Sequence, residues 1–217
     1  MPRLLSIGEC MIELAPEADG RLRPGFAGDT FNTAWYARRL AGTDIEVGYL
    51  TAVGDDDPSR RMTVFMEEAG ITPHLAIRQG SSVGLYMISL RDGERSFSYW
   101  RSTSAARSLA DNLSALPDLE PGDMSYFSGI TLAILPETGR RRLLDVLSNA
   151  RTAGITIVFD PNLRPRLWAD ADEMKTWIMK AAAVSDIALP SFEDEATHFS
   201  DVDVAATASR YADVGVS

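Results

Sequence analysis

Cysteine and histidine are nearly absent from this 217-residue chain: Cys10 is the sole thiol, and His74 and His198 are the two imidazoles. An intramolecular disulfide is excluded, and a zinc cluster of His and Cys ligands has too few members to form, so no metal-ligand set is expected. Long apolar runs are missing as well. No stretch reaches the ~18 apolar residues of a membrane-spanning helix. The opening Met-Pro-Arg-Leu-Leu-Ser-Ile-Gly enters an apolar segment at once, without the basic region and small-residue cleavage site of a signal peptide. A cytoplasmic protein with no membrane partner is expected. Positive charge is also short. With 21 Lys and Arg against 31 Asp and Glu, the formal net charge of −10 does not suit a nucleic-acid surface. The one dense basic stretch, Arg140-Arg141-Arg142, falls within an amphipathic helical pattern and reads as a solvated face.

What is present is the composition of an ordinary globule, 45% hydrophobic and 24% charged, long enough for one substantial core. Residues 3–8 and 47–53 are short apolar runs ended by glycine, as buried strands are. Between them a helix opens at Asp29, with Phe31, Ala34, Trp35 and Leu40 as its buried stripe. Asp57-Pro58 starts the next helix, Met62, Phe65, Met66 and Ala69 give its apolar face, and Gly70 stops it. The period then changes. In SVGLYMISLRDGERSFSYWR two extended runs flank Asp92-Gly93, a hairpin signal, and neither run is fully apolar, so one face should be wet.

Strand–helix alternation then resumes with a strand at Met124, a helix near Pro136 facing inward through Leu143, Leu144, Leu147 and Ala150, and a strand at Ile155. A helix through Met174, Trp177, Ile178 and Ala181 leads to a last short strand at Ile187. Repeated βα units imply a mostly parallel sheet flanked by helices, with the hairpin as an inserted lid. Lid strands are expected from about 9–27 and 82–104. The joints EEAGITPHLAI, RTAGITIVFD and RYADVGVS share a pattern, and the last reaches Ser217 where its strand should begin. The expectation is an incomplete α/β domain over 1–217, either part of a longer protein or a natural end, with an unpaired edge that invites self-association.

Four stretches offer chemistry. FAGDTFN places Gly28, Asp29 and Asn32 at a helix entrance. A simple N-cap explains one of these residues, whereas a polyol pocket uses all of them, with glycine admitting the ligand and Asp and Asn bonding its hydroxyls. The lid carries Tyr86, Tyr99, Trp100 and Arg101, readable as cross-strand packing or as a seat for a carboxylate or phosphate. Asp160, Asn162 and Arg164 follow a strand at its carboxyl end, where α/β sheets bind ligands, although Asp-Pro-Asn is also a common solvated turn. Ser191, Glu193, Asp194 and Glu195 open a helix whose dipole favours acids.

Taken together, SIGECMIEL, GFAGDTFNTAWYARRL, GYLTAVGDDD, GLYMISL, FSYWRSTSAA, FSGITLAI, DPNLRPRLW and LPSFEDEA, in this order, resemble the ribokinase-like (PfkB) sugar kinases, over about the first two thirds of such a protein. The resemblance implies an α/β fold with a small β lid and ATP- and Mg2+-dependent phosphorylation of a sugar hydroxyl. Its keto-deoxygluconate branch, acting on a sugar acid, is the nearest. That branch implies substrate contacts at Gly28, Asp29, Asn32, Tyr86, Tyr99, Arg101 and Arg164, and cofactor contacts at Asn162, Ser191 and Asp194, with Ser191-Phe-Glu-Asp194 standing where the family has Asn-x-x-Glu. The family's late Gly-Ala-Gly-Asp motif, which carries the catalytic base and anion hole, does not occur here, so no catalytic residue and no turnover are expected of this chain. Two other readings stay open: an inactive sugar-acid binding or dimerising protein, and a kinase for another sugar such as fructose or ribose. A homo-oligomer joined through the lids is the expected assembly.

Overall fold

A computed structural model describes residues 1–91 and 94–217; the hairpin signal expected at Asp92-Gly93 lies outside the described residues. In chain order the elements are β1 (Arg3–Ile7), β2 (Met11–Pro16), β3 (Leu22–Ala27), α1 (Asp29–Ala41), β4 (Glu46–Gly54), α2 (Asp57–Glu68), β5 (Thr72–Arg78), β6 (Leu85–Arg91) and β7 (Glu94–Trp100). There follow β8 (Met124–Ser128), α3 (Gly129–Ile134), α4 (Glu137–Thr152), β9 (Thr156–Asp160), α5 (Ala171–Ala183), β10 (Ile187–Ala188), α6 (Phe192–Phe199) and α7 (Val204–Ala212).

The main sheet has the order β10-β9-β8-β1-β4-β5, and every pair in it is parallel. From β1 the chain moves outward to β4 and β5, then returns to the other side of β1 for β8, β9 and β10. The strand order thus reverses at β1 and β8, and the connections on either side of that point diverge, leaving a crevice at their carboxyl ends. Alternate residues of β4 divide the core between the two faces of the sheet. Val47 and Tyr49 join Phe31, Ala34, Met62 and Met66 of α1 and α2, while Leu50 and Ala52 join the residues of α4 and α5. The inner stripes of α4 and α5 are buried as their spacing requires. Gly70, Gly154 and Gly215, at the three repeated joints, all have positive φ, so each helix is ended by a residue in the left-handed region.

A second sheet, β3-β2-β6-β7, is mixed: β2 pairs parallel with β6, and the two outer pairs are antiparallel. Its edge strand β7 is exposed at every position, so both of its faces are wet where one was expected. Among the described residues, no helix is long and apolar enough to cross a membrane.

Three local expectations need correction. Leu40 is 86% exposed; it lies nine positions after Phe31, about two and a half turns at ~3.6 residues per turn, and so points the opposite way. The cap of α2 is Asp56, whose side chain accepts the Ser59 amide at 3.1 Å, and Asp57 is already helical. Arg140 is buried, unlike a residue of a solvated face. Its guanidinium donates to the Leu132 carbonyl at 2.9 Å, pairs with Glu173 at 2.6 Å, and lies 4.8 Å from the ring centre of Trp168. The helical period alone does not reveal such a site, because a planar cation satisfied by a carbonyl, a carboxylate and an indole can be buried at little cost.

Candidate functional site

A cleft of about 270 Å3 opens at the carboxyl ends of the strands beside the reversal point. Its lining brings together Gly28, Asp29, Asn32, Tyr86, Tyr99, Arg101, Asn162 and Arg164, with Met11, Phe97 and Ile130 as apolar wall. All the residues expected to contact substrate therefore border one space. β6 and the residues around β7 supply its roof, α1 one wall, and the segment after β9 the other. Ser191 and Asp194 are not part of it. They start α6, beyond β10, which is separated from β8 by β9.

The helix entrance does not work as a simple cap. Gly28 occupies the N-cap position of α1 with no side-chain hydrogen bond. Asp29 instead reaches across the floor, where its Oδ2 accepts from Ser128 Oγ at 2.5 Å and from Asn162 Nδ2 at 3.4 Å. Ser128 in turn accepts the Ile130 amide at 3.0 Å and so starts α3. Thr30 is buried against Tyr49, their hydroxyls 2.9 Å apart. Gly28 is required for a different reason from the one expected. A Cβ there would stand 2.2 Å from the Glu9 carbonyl oxygen, so the close approach is by the protein's own chain rather than by a ligand.

The lid residues have partners that the sequence did not announce. Arg101 forms an ion pair with Glu9, and the Tyr86 hydroxyl donates to Glu13. Burial pushes the Glu9 carboxyl above the usual range, and the Arg101 guanidinium opposes that push. Burial and the bond to Glu13 raise the Tyr86 phenol well above its ordinary value. The Tyr86 and Tyr99 rings pack with centres 5.9 Å apart, and Arg101 lies 5.8 Å from the Tyr99 ring. Glu9, Glu13 and Ser128 were missed as site residues; the available signal for Glu9 was an acid placed directly after the Gly that ends a buried strand.

Asp160 closes β9 beneath the cleft. Burial raises its carboxyl, with the nearby Asp29 charge adding to the rise, while the Tyr126 hydroxyl, 3.2 Å away, acts in the other direction. The next residues are unusual in their backbone: Asn162 has φ 33° and Arg164 φ 46°, both left-handed and neither glycine. Asn162, expected at the cofactor, has its amide facing Asp29 within the same cleft. Arg164 is exposed, and among the described residues no carboxylate pairs with it. Of the cleft's two guanidiniums, Arg101 is partly neutralised and Arg164 is open to a ligand. The arrangement can bond several hydroxyls along the Asp29–Asn162 floor and hold one carboxylate near Arg164 and Arg101.

The start of α6, where Ser191 and Asp194 lie, is acidic. The first turn of α6 carries Glu193, Asp194 and Glu195, which repel phosphate at the very helix start that would attract it. Glu195 is already bonded to Arg210 and Tyr211. Among the described residues no group of three or more His, Cys, Asp or Glu side chains stands ready to hold a metal. A larger hollow of about 420 Å3 lies at the opposite, amino ends of β1 and β4, but Arg3 at its rim is tied to Glu46. That end of a parallel sheet is not where its ligands bind.

A parallel sheet with a cleft at its reversal point and a β layer over it is the architecture of the ribokinase-like α/β proteins. The PfkB protein from Polaromonas sp. JS666 superposes with a TM-score of 0.84 at 24% identity, covering 100% of this chain and 74% of the other. Aminoimidazole riboside kinase from Salmonella enterica, solved with aminoimidazole riboside and an ATP analogue, gives 0.83 at 22%, covering 99% and 68%. In sequence, the pfkB family carbohydrate kinase profile matches residues 1–213, and the chain belongs to that family. It is similar to the 2-dehydro-3-deoxygluconokinase of Haemophilus influenzae, 36% identical over 222 residues that cover 100% of this chain and 71% of the relative. The protein of the same name from Dickeya dadantii is 41% identical over 197 residues, 87% of this chain and 63% of its own length. The chain thus spans roughly two thirds of these curated relatives, between 63% and 71%.

Proposed function

We propose that this chain forms the sugar-binding part of an ATP-dependent kinase that converts 2-keto-3-deoxygluconate to its 6-phosphate. The observation that carries this reading is the meeting, in one cleft, of a carboxylate–amide floor with the guanidiniums of Arg101 and Arg164. A neutral sugar has use for the floor but none for the Arg164 guanidinium, unpaired among the described residues, whereas a sugar acid uses both. The names of the relatives support the same substrate. In this reading Asp29 and Asn32 bond substrate hydroxyls, Asn162 orients Asp29, and Arg164 takes the carboxylate with Arg101 beside it. Tyr86 and Tyr99 shield the sugar from water.

The chain itself is expected to bind without turnover, because the Gly-Ala-Gly-Asp motif that the resemblance links to the base and anion hole does not occur in it. Ser191 and Asp194 remain candidates for the nucleotide side only with a cation to offset their helix's acidic first turn. Thermal unfolding with keto-deoxygluconate, fructose and ribose in parallel tests the substrate, since a ligand that binds the native state alone raises its midpoint. The acid should give the largest shift. A larger shift with fructose or ribose would overturn this choice, and phosphate transfer from ATP by the purified chain would overturn the expectation of no turnover.

The lid supports a homodimer in the same reading. Phe97, Tyr99 and Trp100 are each about half exposed on β7, an edge strand. Trp100→Ser should lower the dimer fraction in light scattering; a chain that is monomeric to begin with removes the proposal.

A further inference from the structure

Asn162 and Arg164 both hold left-handed backbone, which asparagine tolerates and arginine does not favour, and the second of them precedes Pro165. Such a segment keeps its shape only if its surroundings over-determine it. The hold is found at Leu163, between the two. Its side chain is buried in the main core, and its carbonyl accepts the Trp168 indole N–H at 2.8 Å. Trp168 is buried in turn, with the Arg140 guanidinium over its ring. Arg140 is fixed from the far side by the Leu132 carbonyl and by Glu173, whose other oxygen accepts the Ala169 amide at 2.9 Å. A continuous clamp therefore runs from α4 and α5 through an indole to the Leu163 carbonyl, which directly precedes the Arg164 backbone. Neither Trp168 nor Arg140 lines the cleft.

We propose that Trp168, braced by Arg140, is a positioning residue that sets the Asn162–Arg164 arm in its ligand-binding shape. The ligand side of this rests on the sugar-acid reading above; the backbone side does not. Trp168→Phe keeps an aromatic ring under Arg140 and removes the N–H donor. Its affinity for keto-deoxygluconate by calorimetry is expected to fall about tenfold. In an Arg164→Ala background the same change should alter affinity much less, about twofold, because the guanidinium it chiefly positions is gone and only Asn162, which acts through Asp29, remains. Equal losses in both backgrounds would mean that Trp168 acts only on general stability, and would overturn the proposal. Arg140→Lys, which keeps the charge and Trp168 but removes the planar brace, should show the same dependence on Arg164, and its additivity would count equally against it.

Hydrogen exchange without ligand separates the two readings. The Leu167 and Trp168 amides, bonded to the carbonyls of Arg164 at 3.0 Å and Pro165 at 3.2 Å, should exchange at least tenfold faster in Trp168→Phe while β8 and β9 keep their protection. Unchanged exchange there sinks the clamp whatever the ligand does. Faster exchange together with no sugar-acid binding by the unaltered chain would leave the clamp standing and remove the substrate reading.

Discussion

Glu9 and Arg101 form an ion pair at the base of the lid in which the acid side chain is 1% exposed and the base 12%. The surroundings are shaped to admit it. A Cβ on Gly84 would stand 2.8 Å from Glu9 Oε1, and one on Gly28 would strike the Glu9 backbone. Burying two charges gains little stability over an apolar pair of the same shape, so the pair's value is geometric: it holds a guanidinium against the cleft wall at one orientation.

Breaking that pair from the basic side should be costly and pH-dependent. Arg101→Met leaves Glu9 buried and alone, a loss of about 3–5 kcal/mol at neutral pH. Glu9 already has a raised pKa in the folded chain, and without Arg101 it rises further. A folded-state acid with a raised pKa keeps a proton that the unfolded chain has released, so its penalty is greatest above the folded pKa and fades as pH falls toward the ordinary carboxylate value near ~4.3. Urea unfolding at pH 7 and pH 5 should therefore show a smaller difference between variant and parent at pH 5. Equal differences at both pH values would contradict the orphaned-acid account.

The two glycines of the PGFAG segment should differ sharply. Gly28→Ala forces a Cβ to 2.2 Å from the Glu9 carbonyl, whereas at Gly25 the nearest atom would be 3.9 Å away. Shifting backbone at Gly28 should cost at least about 2 kcal/mol, and Gly25→Ala should stay within about 0.5 kcal/mol. Similar unfolding midpoints for the two variants would show that the Glu9 turn yields easily.

Asp29 sets ligand affinity against stability. Its charge adds to the rise in pKa of both Glu9 and Asp160, so three acids crowd one floor. Asp29→Asn relieves that repulsion while keeping an acceptor for Ser128. Unfolding free energy should hold or rise by up to about 1 kcal/mol, while sugar-acid affinity drops about tenfold, the loss of a charge-assisted bond to a hydroxyl. A variant that loses stability and keeps its affinity would assign Asp29 to structure alone.

What the sequence made legible follows from range. The buried strands, the helical stripes and the glycine stops are local patterns, and they showed a mostly parallel sheet with a lid, whereas the strand order, with its reversal at β1 and β8, depends on long-range pairing. FAGDTFN and DPNLRP showed their polar content, but the bond from Ser128 to Asp29 joins residues 99 apart, and no local pattern encodes it. Glu9 was hidden for the same reason: its partner Arg101 lies on the far side of the lid in sequence. Arg140 misled because a cation on a helix is normally solvated, and the Leu132 carbonyl, the Glu173 carboxylate and the two tryptophans that the fold brings beside it change that balance. The left-handed backbone at Arg164 has no signature either, since arginine is not a residue that favours it.

Arg164 allows its backbone and its charge to be tested separately. Arg164→Ala and Arg164→Gly remove the same guanidinium, but only glycine adopts the observed φ of 46° without strain. The glycine variant should therefore be the more stable of the two by about 1 kcal/mol in urea unfolding. In binding they should agree: each loses about tenfold or more for keto-deoxygluconate and changes little for a neutral sugar, because the lost group reads a carboxylate. Equal stability of the pair would mean that the segment relaxes once the side chain is gone, and the charge, not the clamp at Leu163, would then be what holds the arm in place. Equal losses for acid and neutral ligands would instead make Arg164 a general wall of the cleft. The opposite result in each assay ties one strained residue to one recognised group.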